Sequence, residues 1–372
     1  MTSIDGSGTT RARCVLAPNP SLMTLDGTNT WLIAEPGAAA VIVVDPGPDD
    51  EGHLSRVRAT AADAGQRIEK IVLTHRHEDH SGGARRLADL TGAPVLAVDP
   101  AYRLGAAAAL GPGDVVRAGG TELLRVIETP GHTSDSVSLL LEADGAVLTG
   151  DTVLGRGTTV IASDGNLGDY LRSLDRLRAL ADDPGLRVLL PGHGPLLSEP
   201  AQTLDYYIAH RAERLAEIEA ALAAGCRTLA DIVARVYVDV DQALWPFAEW
   251  SVRAQLAYLA ERGALPPGMQ PPGDLPGPLP HPLRVDQQHR LGVQLDPAAG
   301  DEVGEGLVDR LPRGPDQLGK FLLGQVVIDL QAVLLPGAEP RRQIEQRLRN
   351  PARHVGEDQI GHDLVGAPQS PG

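Results

Sequence analysis

Three histidines and an aspartate, His75, His77, Asp79 and His80, crowd into the short segment Thr74-His75-Arg76-His77-Glu78-Asp79-His80-Ser81. Imidazole and carboxylate are borderline donors that suit Zn²⁺, with Mn²⁺ or Fe²⁺ as alternatives. In an extended segment His75 and His77 stand on one side, so both rings can face the same ion. Asp79 and His80 follow where the chain swings round, and they can reach a second ion close by. The alternative is a solvated polar loop, but donor clusters this dense seldom occur without a metal. Three further turns carry the same residue types: Thr129-Pro130-Gly131-His132, Thr149-Gly150-Asp151 and Pro191-Gly192-His193. A lone Pro-Gly-His is weak evidence, more often a turn than a ligand; with the other turns it is strong. Asp45, in Asp45-Pro46-Gly47-Pro48, is either a turn residue or a carboxylate that holds the metal-bearing loops from behind.

Each of these turns follows a short apolar run. Residues 71–73 read as a buried strand leading into the histidines, and 84–90 as the next helix. Upstream, strands are predicted at 13–16, 30–34 and 40–44, and a helix at 53–64. Downstream, strands are predicted at 94–98, 123–128 and 187–190, with 106–114 as a loop. Residues 136–142 and 146–148 form a hairpin around Asp144-Gly145. Amphipathic helices are predicted at 167–180 and 204–223. Proline and glycine at the turns bend the backbone sharply and hold the donors rigidly.

At 372 residues the chain can bury a large core, and no apolar run is long enough to span a bilayer. Residues 1–13 lack a secretory pattern, so the expected location is the cytoplasm. Cys14 and Cys226 lie far apart and read as free thiols, which suits a reducing compartment. The formal charge of −16 argues against a large non-specific grip on nucleic acid, and Lys70 and Lys320 are the only lysines.

The donor set resembles the metallo-β-lactamase superfamily over roughly residues 13–265. The resemblance implies an α+β fold, a four-layer αββα sandwich with its site at one edge. It implies that His75, His77 and His132 bind one metal, that Asp79, His80 and His193 bind a second, and that Asp151 bridges them. Departures narrow the choice. True zinc β-lactamases lack the bridging aspartate, and flavodiiron proteins carry Glu where His77 stands. The segment between Asp151 and His193 leaves no room for the inserted domain of mRNA-processing nucleases. The helical glutathione-binding region of glyoxalase II is not evident. Gly27-Thr28-Asn29-Thr30-Trp31 and Gly155-Arg156-Gly157-Thr158-Thr159 resemble the β-lactamase-like protein 2 group, whose animal member is a single-strand endoribonuclease.

That resemblance implies a small winged-helix-like cap at 201–265, following a catalytic domain at 13–200. Residues 241–250 hold two acidic and no basic residues, so the cap reads as a substrate lid or a homodimer surface rather than a nucleic-acid reader. The Pro/Gly-rich segment 266–372 reads as a disordered tail with one helix at 318–335. A sharper reading takes the tail as out-of-frame translation, which an intact mass near 39.1 kDa would reject.

The implied chemistry is hydrolysis. Two divalent ions about 3.5–4 Å apart share a water and bring its pKa from ~15.7 to near neutrality. The hydroxide attacks a carbonyl carbon or phosphorus, while Asp79 orients it and carries a proton to the leaving group. Single-stranded RNA is the first expected substrate and a thioester or other carboxylic ester the second. A mononuclear iron persulfide dioxygenase is the alternative from another class, and a non-catalytic binding module the least expected.

Overall fold

Alternation explains the sheet that carries most of the site. A computed structural model of the protein describes residues 8–270 and 273, apart from 107, 108, 162, 163, 241, 243 and 244. In β3 (Ala40–Val44) every residue is buried, and successive side chains point to opposite faces. Ile42 and Val44 join a core between two sheets, while Val41 and Val43 join a second core under helices. A one-residue slip would exchange those faces, so the apolar pattern fixes the register on both sides at once.

The first sheet has the order β1 (Ala12–Leu16), β2 (Asn29–Ile33), β3, β4 (Arg67–Val72) and β5 (Val95–Leu96). Helices α1 (Glu51–Asp63) and α3 (Ala84–Thr91) cover its outer face through Leu54, Val57 and Leu87, and a one-turn helix, α2 (Glu78–Ser81), lies between β4 and α3. The second sheet runs β10 (Val188–Pro191), β9 (Ala146–Gly150), β8 (Val137–Leu141), β7 (Thr121–Glu128) and β6 (Val115–Ala118). Its outer face is covered by α4 (Leu167–Leu180) and α5 (Pro200–Ala223), with Tyr170, Leu174, Leu204 and Tyr207 inside. Helix, sheet, sheet, helix is the expected αββα sandwich. The far half of α5, through Ile218 and Leu222, packs with α6 (Leu229–Val236) and α7 (Trp245–Glu261) into a separate small core.

Several predicted elements shift. β6 lies in a stretch, 115–122, for which no element is predicted, because four residues between turns carry little periodic signal. α1 begins two residues early: Asp50 caps it, its Oδ1 accepting from His53 N at 2.7 Å. The β8–β9 link is not a two-residue turn. A 3₁₀ turn over Glu142–Asp144 precedes Gly145 (φ 56°), and buried Asp144 accepts from the backbone N–H groups of Thr10 and Arg11 at 2.8 Å. α7 runs from Trp245 through residue 250 to Glu261 and carries Arg253, so the cap helix is longer and less acidic than 241–250 indicates. Of the tail only residues 266–270 and Gly273 are described, with Met269 packed against the cap core, and the rest, with its helix at 318–335, lies outside the described residues. Cys14 and Cys226 are free thiols, and burial pushes Cys14 up to about 12.

Candidate metal centre

Topology brings the four donor-bearing turns together. β7 and β9 both run antiparallel to β8, and β10 runs parallel to β9, so all three end at the same edge of their sheet. His132, Asp151 and His193 follow those three ends. In the other sheet β3 and β4 are parallel, which places Asp45 beside the segment that carries His75, His77, Asp79 and His80. After β4 the chain extends through His77 and then enters α2, which carries Asp79 and His80.

The seven residues predicted as ligands meet in one cluster. His77 Nδ1 lies 3.1 Å from His75 Nε2 and 3.0 Å from His132 Nε2. His80 Nε2 lies 3.1 Å from His193 Nε2, and His193 Nε2 lies 3.1 Å from Asp79 Oδ2. Asp151 reaches both groups: its Oδ1 is 3.4 Å from His80 Nε2, and its Oδ2 is 3.4 Å from His193 Nε2 and 3.8 Å from His132 Nε2. Donors around a tetrahedral ion with ~2.0–2.1 Å bonds are separated by about 3.3–3.4 Å, close to these spacings.

Hydrogen bonds on the far side of four histidines fix which nitrogen faces the cluster. Val160 O lies 3.0 Å from His132 Nδ1, and Gly27 O lies 3.1 Å from His193 Nδ1. The Asp45 carboxylate lies 2.9 Å from His80 Nδ1. These oxygens only accept, so each Nδ1 donates. Thr74 Oγ1 gives its hydrogen to Asp45 Oδ2 at 2.7 Å and therefore accepts from His75 Nδ1 at 3.0 Å. The remaining Nε2 lone pairs converge on the cluster, an arrangement that needs a cation between them. Asp151 Oδ1 is buried and makes no hydrogen bond. The donor set fits divalent metal ions.

The protonation pattern separates the two halves. Burial, with neighbouring histidines, pushes His75 well down and His132 to about 4, which keeps these rings neutral. Burial also opposes a charge on His80 and His193. The carboxylates outweigh it: Asp151, Asp79 and Asp45 hold His80 well above its usual value, and Asp151 and Asp79 lift His193 to about 9. Asp151 is pulled well below the usual carboxylate range by His193 and His80 against the cost of its burial. In the metal-free chain, protons thus stand where a cation would balance these carboxylates.

Further residues shape the site without having been predicted. Asp164 Oδ2 lies 3.5 Å from His77 Nε2 and 3.0 Å from Arg76 Nη2. Thr159 Oγ1 lies 2.9 Å from His132 Nδ1. The Gly27-to-Trp31 motif clamps the Pro-Gly-His turn: Asn29 Nδ2 donates to Pro191 O and Gly194 O at 3.0 and 2.8 Å. Trp31 Nε1 also donates to Pro191 O, at 3.2 Å.

Comparison with known proteins agrees with this geometry. Residues 23–193 match the metallo-beta-lactamase superfamily, and residues 228–264 match the beta-lactamase associated winged helix domain. A beta-lactamase-like protein 2 homolog of Caenorhabditis elegans is 33% identical over 262 residues, covering 68% of this chain and 84% of that protein. An atrochrysone carboxyl ACP thioesterase of Aspergillus fumigatus is 33% identical over 215 residues, covering 56% of this chain and 64% of that one. The crystal structure of a beta-lactamase domain protein from Burkholderia ambifaria superposes with a TM-score of 0.58 at 24% identity, covering 69% of this chain and 89% of that chain. With the αββα layers, the edge cluster of histidine and aspartate donors and the helical cap all accounted for, the chain belongs to the metallo-β-lactamase superfamily of hydrolases, with a winged helix domain at its C-terminal side.

Proposed function

We propose that the protein is a two-metal hydrolase of carboxylic thioesters or esters. His75, His77 and His132 would hold one ion and Asp79, His80 and His193 the other, with Asp151 shared between them. Bound there, the ions, zinc by preference for this donor set, supply a nucleophile at neutral pH and stabilise the developing oxyanion. Two complete donor groups favour this reading over a single-iron dioxygenase.

The observation that carries the substrate class is the charge around His77. Arg76 meets three carboxylates, Asp164 at 3.0 Å, Asp135 at 3.6 Å and Asp99 at 3.8 Å. One guanidinium among three carboxylates leaves this rim negative, which repels a polyanion and leaves an uncharged acyl group unaffected. Similarity to the fungal ACP thioesterase points the same way. Asp79 is the most open of the seven donors, its side chain 29% exposed. It is the carboxylate placed to receive a proton and pass it to a departing thiolate or alkoxide.

Cleavage of single-stranded RNA is the second reading. It draws on the resemblance to the β-lactamase-like protein 2 group, whose nematode relative aligns over 262 residues against 215 for the thioesterase. One assay separates the two. The metal-loaded full chain and its His77→Ala variant are incubated with uncharged acyl-N-acetylcysteamine thioesters, and in parallel with end-labelled single-stranded RNA. Thiol release that disappears in the variant is expected. RNA cleavage that disappears in the variant, without thiol release, would replace the thioester reading with the second.

A further inference from the structure

Behind His132 lies a cavity of about 210 Å³ between the loop after β9 and the helices α5 and α7. Whole small-molecule sites run to roughly 300–1,000 Å³, so this one takes a single group of a ligand. Arg211 and Arg214 of α5 line it, together with Glu217, Tyr237, Gln255 and Thr159. Arg211 is 8% exposed, and its Nε–H has no acceptor. Arg214 Nε is likewise buried without a partner, although Nη1 of the same residue lies 2.9 Å from Glu217 Oε2. Gln255 is 4% exposed and its Oε1 receives no hydrogen bond.

Buried guanidinium donors left open are costly, because each forfeits the solvation it had in water. Other contacts hold these side chains in place rather than satisfying them. Arg211 Nη2 donates to Thr159 O, and its guanidinium lies 4.9 Å from the centre of the Tyr170 ring. The Arg214 guanidinium lies 5.9 Å from the centre of the Tyr237 ring. The cavity is thus a recess with two cationic donors and two unmet acceptors, Gln255 Oε1 and Glu217 Oε2, with the Asp239 carboxylate also in its lining. A phosphate carrying two protons, or a carboxylate with an attendant water, presents oxygens to the two guanidinium groups and hydrogens to the two acceptors.

We propose that this cavity is an oxyanion subsite, which takes one phosphate or carboxylate group of the substrate away from the bond that is cut. Thr159 lines the cavity with one side and contacts His132 with the other. A group seated on Arg211 and Arg214 is therefore anchored one residue behind a candidate ligand. Its role as a substrate subsite rests on the hydrolase reading; anion binding at this place does not.

The test is calorimetric titration of the metal-loaded full chain with inorganic phosphate and, separately, with acetate. Because phosphate also ligates metal ions, His77→Ala is titrated beside the wild type. Arg214→Ala, at a half-open position, is expected to weaken binding of the preferred anion roughly tenfold, the loss of one charge-assisted hydrogen bond. Glu217→Gln removes a competing carboxylate without changing shape and is expected to tighten binding roughly threefold. A merely structural role for Arg214 gives no such gain. Binding in His77→Ala is expected within about twofold of wild type. Stronger binding of phosphate or of acetate says which group the recess takes. Neither anion binding, equal affinity in a folded Arg214→Ala, or loss of all binding in His77→Ala would each overturn the proposal. None of these outcomes depends on whether thioester or RNA is hydrolysed.

Discussion

Asp45 shows how one residue behind the candidate ligands sets their chemistry. Its backbone lies at φ 51°, in the left-handed region. Oδ1 accepts from Thr74 N at 2.8 Å, and Oδ2 accepts from Thr74 Oγ1 and from His80 Nδ1. Asparagine tolerates the left-handed conformation, so Asp45→Asn keeps the turn while removing the charge that orients His80. Its affinity for the ion held by Asp79, His80 and His193 is expected to fall roughly 10–100-fold, measured by competition with a chromophoric chelator. Unchanged affinity and stoichiometry would refute the role. The ligand candidates were legible in the sequence because histidine and aspartate at tight turns are chemically conspicuous. Among their supports only Asp45 was legible, as one of two readings of its turn; the others were not. The partner of His193 Nδ1 is a backbone carbonyl, Gly27 O, 166 positions away, and a carbonyl has no residue-type signature. Thr159 and Asp164 reach His132 and His77 only because the loop after β9 folds back over them.

The turns themselves are held to close tolerance, and the clearest case is Gly192. A Cβ there would stand 2.6 Å from Asp151 Oδ1 and 2.7 Å from the His80 ring, both inside contact distance. Gly192 is required by that approach. It is not among the glycines with positive φ, so backbone conformation imposes no such demand. Gly192→Ala should therefore fold, because the two severe clashes are with candidate ligands and the third close contact, Gly150 C at 3.2 Å, needs only a small shift. The expected result is a near-native circular dichroism spectrum with fewer than two metals bound per chain by elemental analysis. A fully metallated, active variant would show that the cluster yields more readily than this packing implies. Elements whose signal is local and long were legible: the buried alternation of β3 and the helical period of α4. Short edge pieces were legible only in part. β5 was expected as a longer strand, 94–98, and keeps only two residues, while the four of β6 were missed, because they owe their strand form to pairing with β7, which no window of sequence contains.

At the scale of the whole molecule, the sandwich works because one strand direction in each sheet carries donors to a common edge, and helices seal both outer faces. That architecture, with its cap, could be read from repeated strand-then-donor turns and family resemblance. What could not be read was which polar groups the packing would enclose. His53 is an ordinary helix residue in sequence, yet it is fully buried between α1 and the first sheet. Thr30 Oγ1 donates to Asp45 O at 2.7 Å, so it accepts from His53 Nε2 at 2.9 Å, and the ring is neutral. Burial, with the nearby Arg56 charge, pushes His53 down to about 4. Unfolding restores an ordinary value near 6.5. Above that pH neither state is protonated and the histidine leaves stability unaffected. As pH falls below it, the unfolded chain takes a proton that the native ring refuses, and stability declines by about 1.4 kcal/mol per unit. The decline ends near pH 4, where the native ring also charges, after a loss of roughly 3 kcal/mol. Metal release also weakens the fold in acid, so the measurement is a difference. Urea denaturation from pH 7.5 to 4.5 is compared between wild type and His53→Gln, both metal-loaded at the outset. His53→Gln is expected to be less stable at neutral pH and to approach the wild type steadily as the pH drops, because it has no ring to protonate. Two parallel profiles would mean that His53 titrates alike in both states, and the enclosed neutral ring would then be the wrong picture.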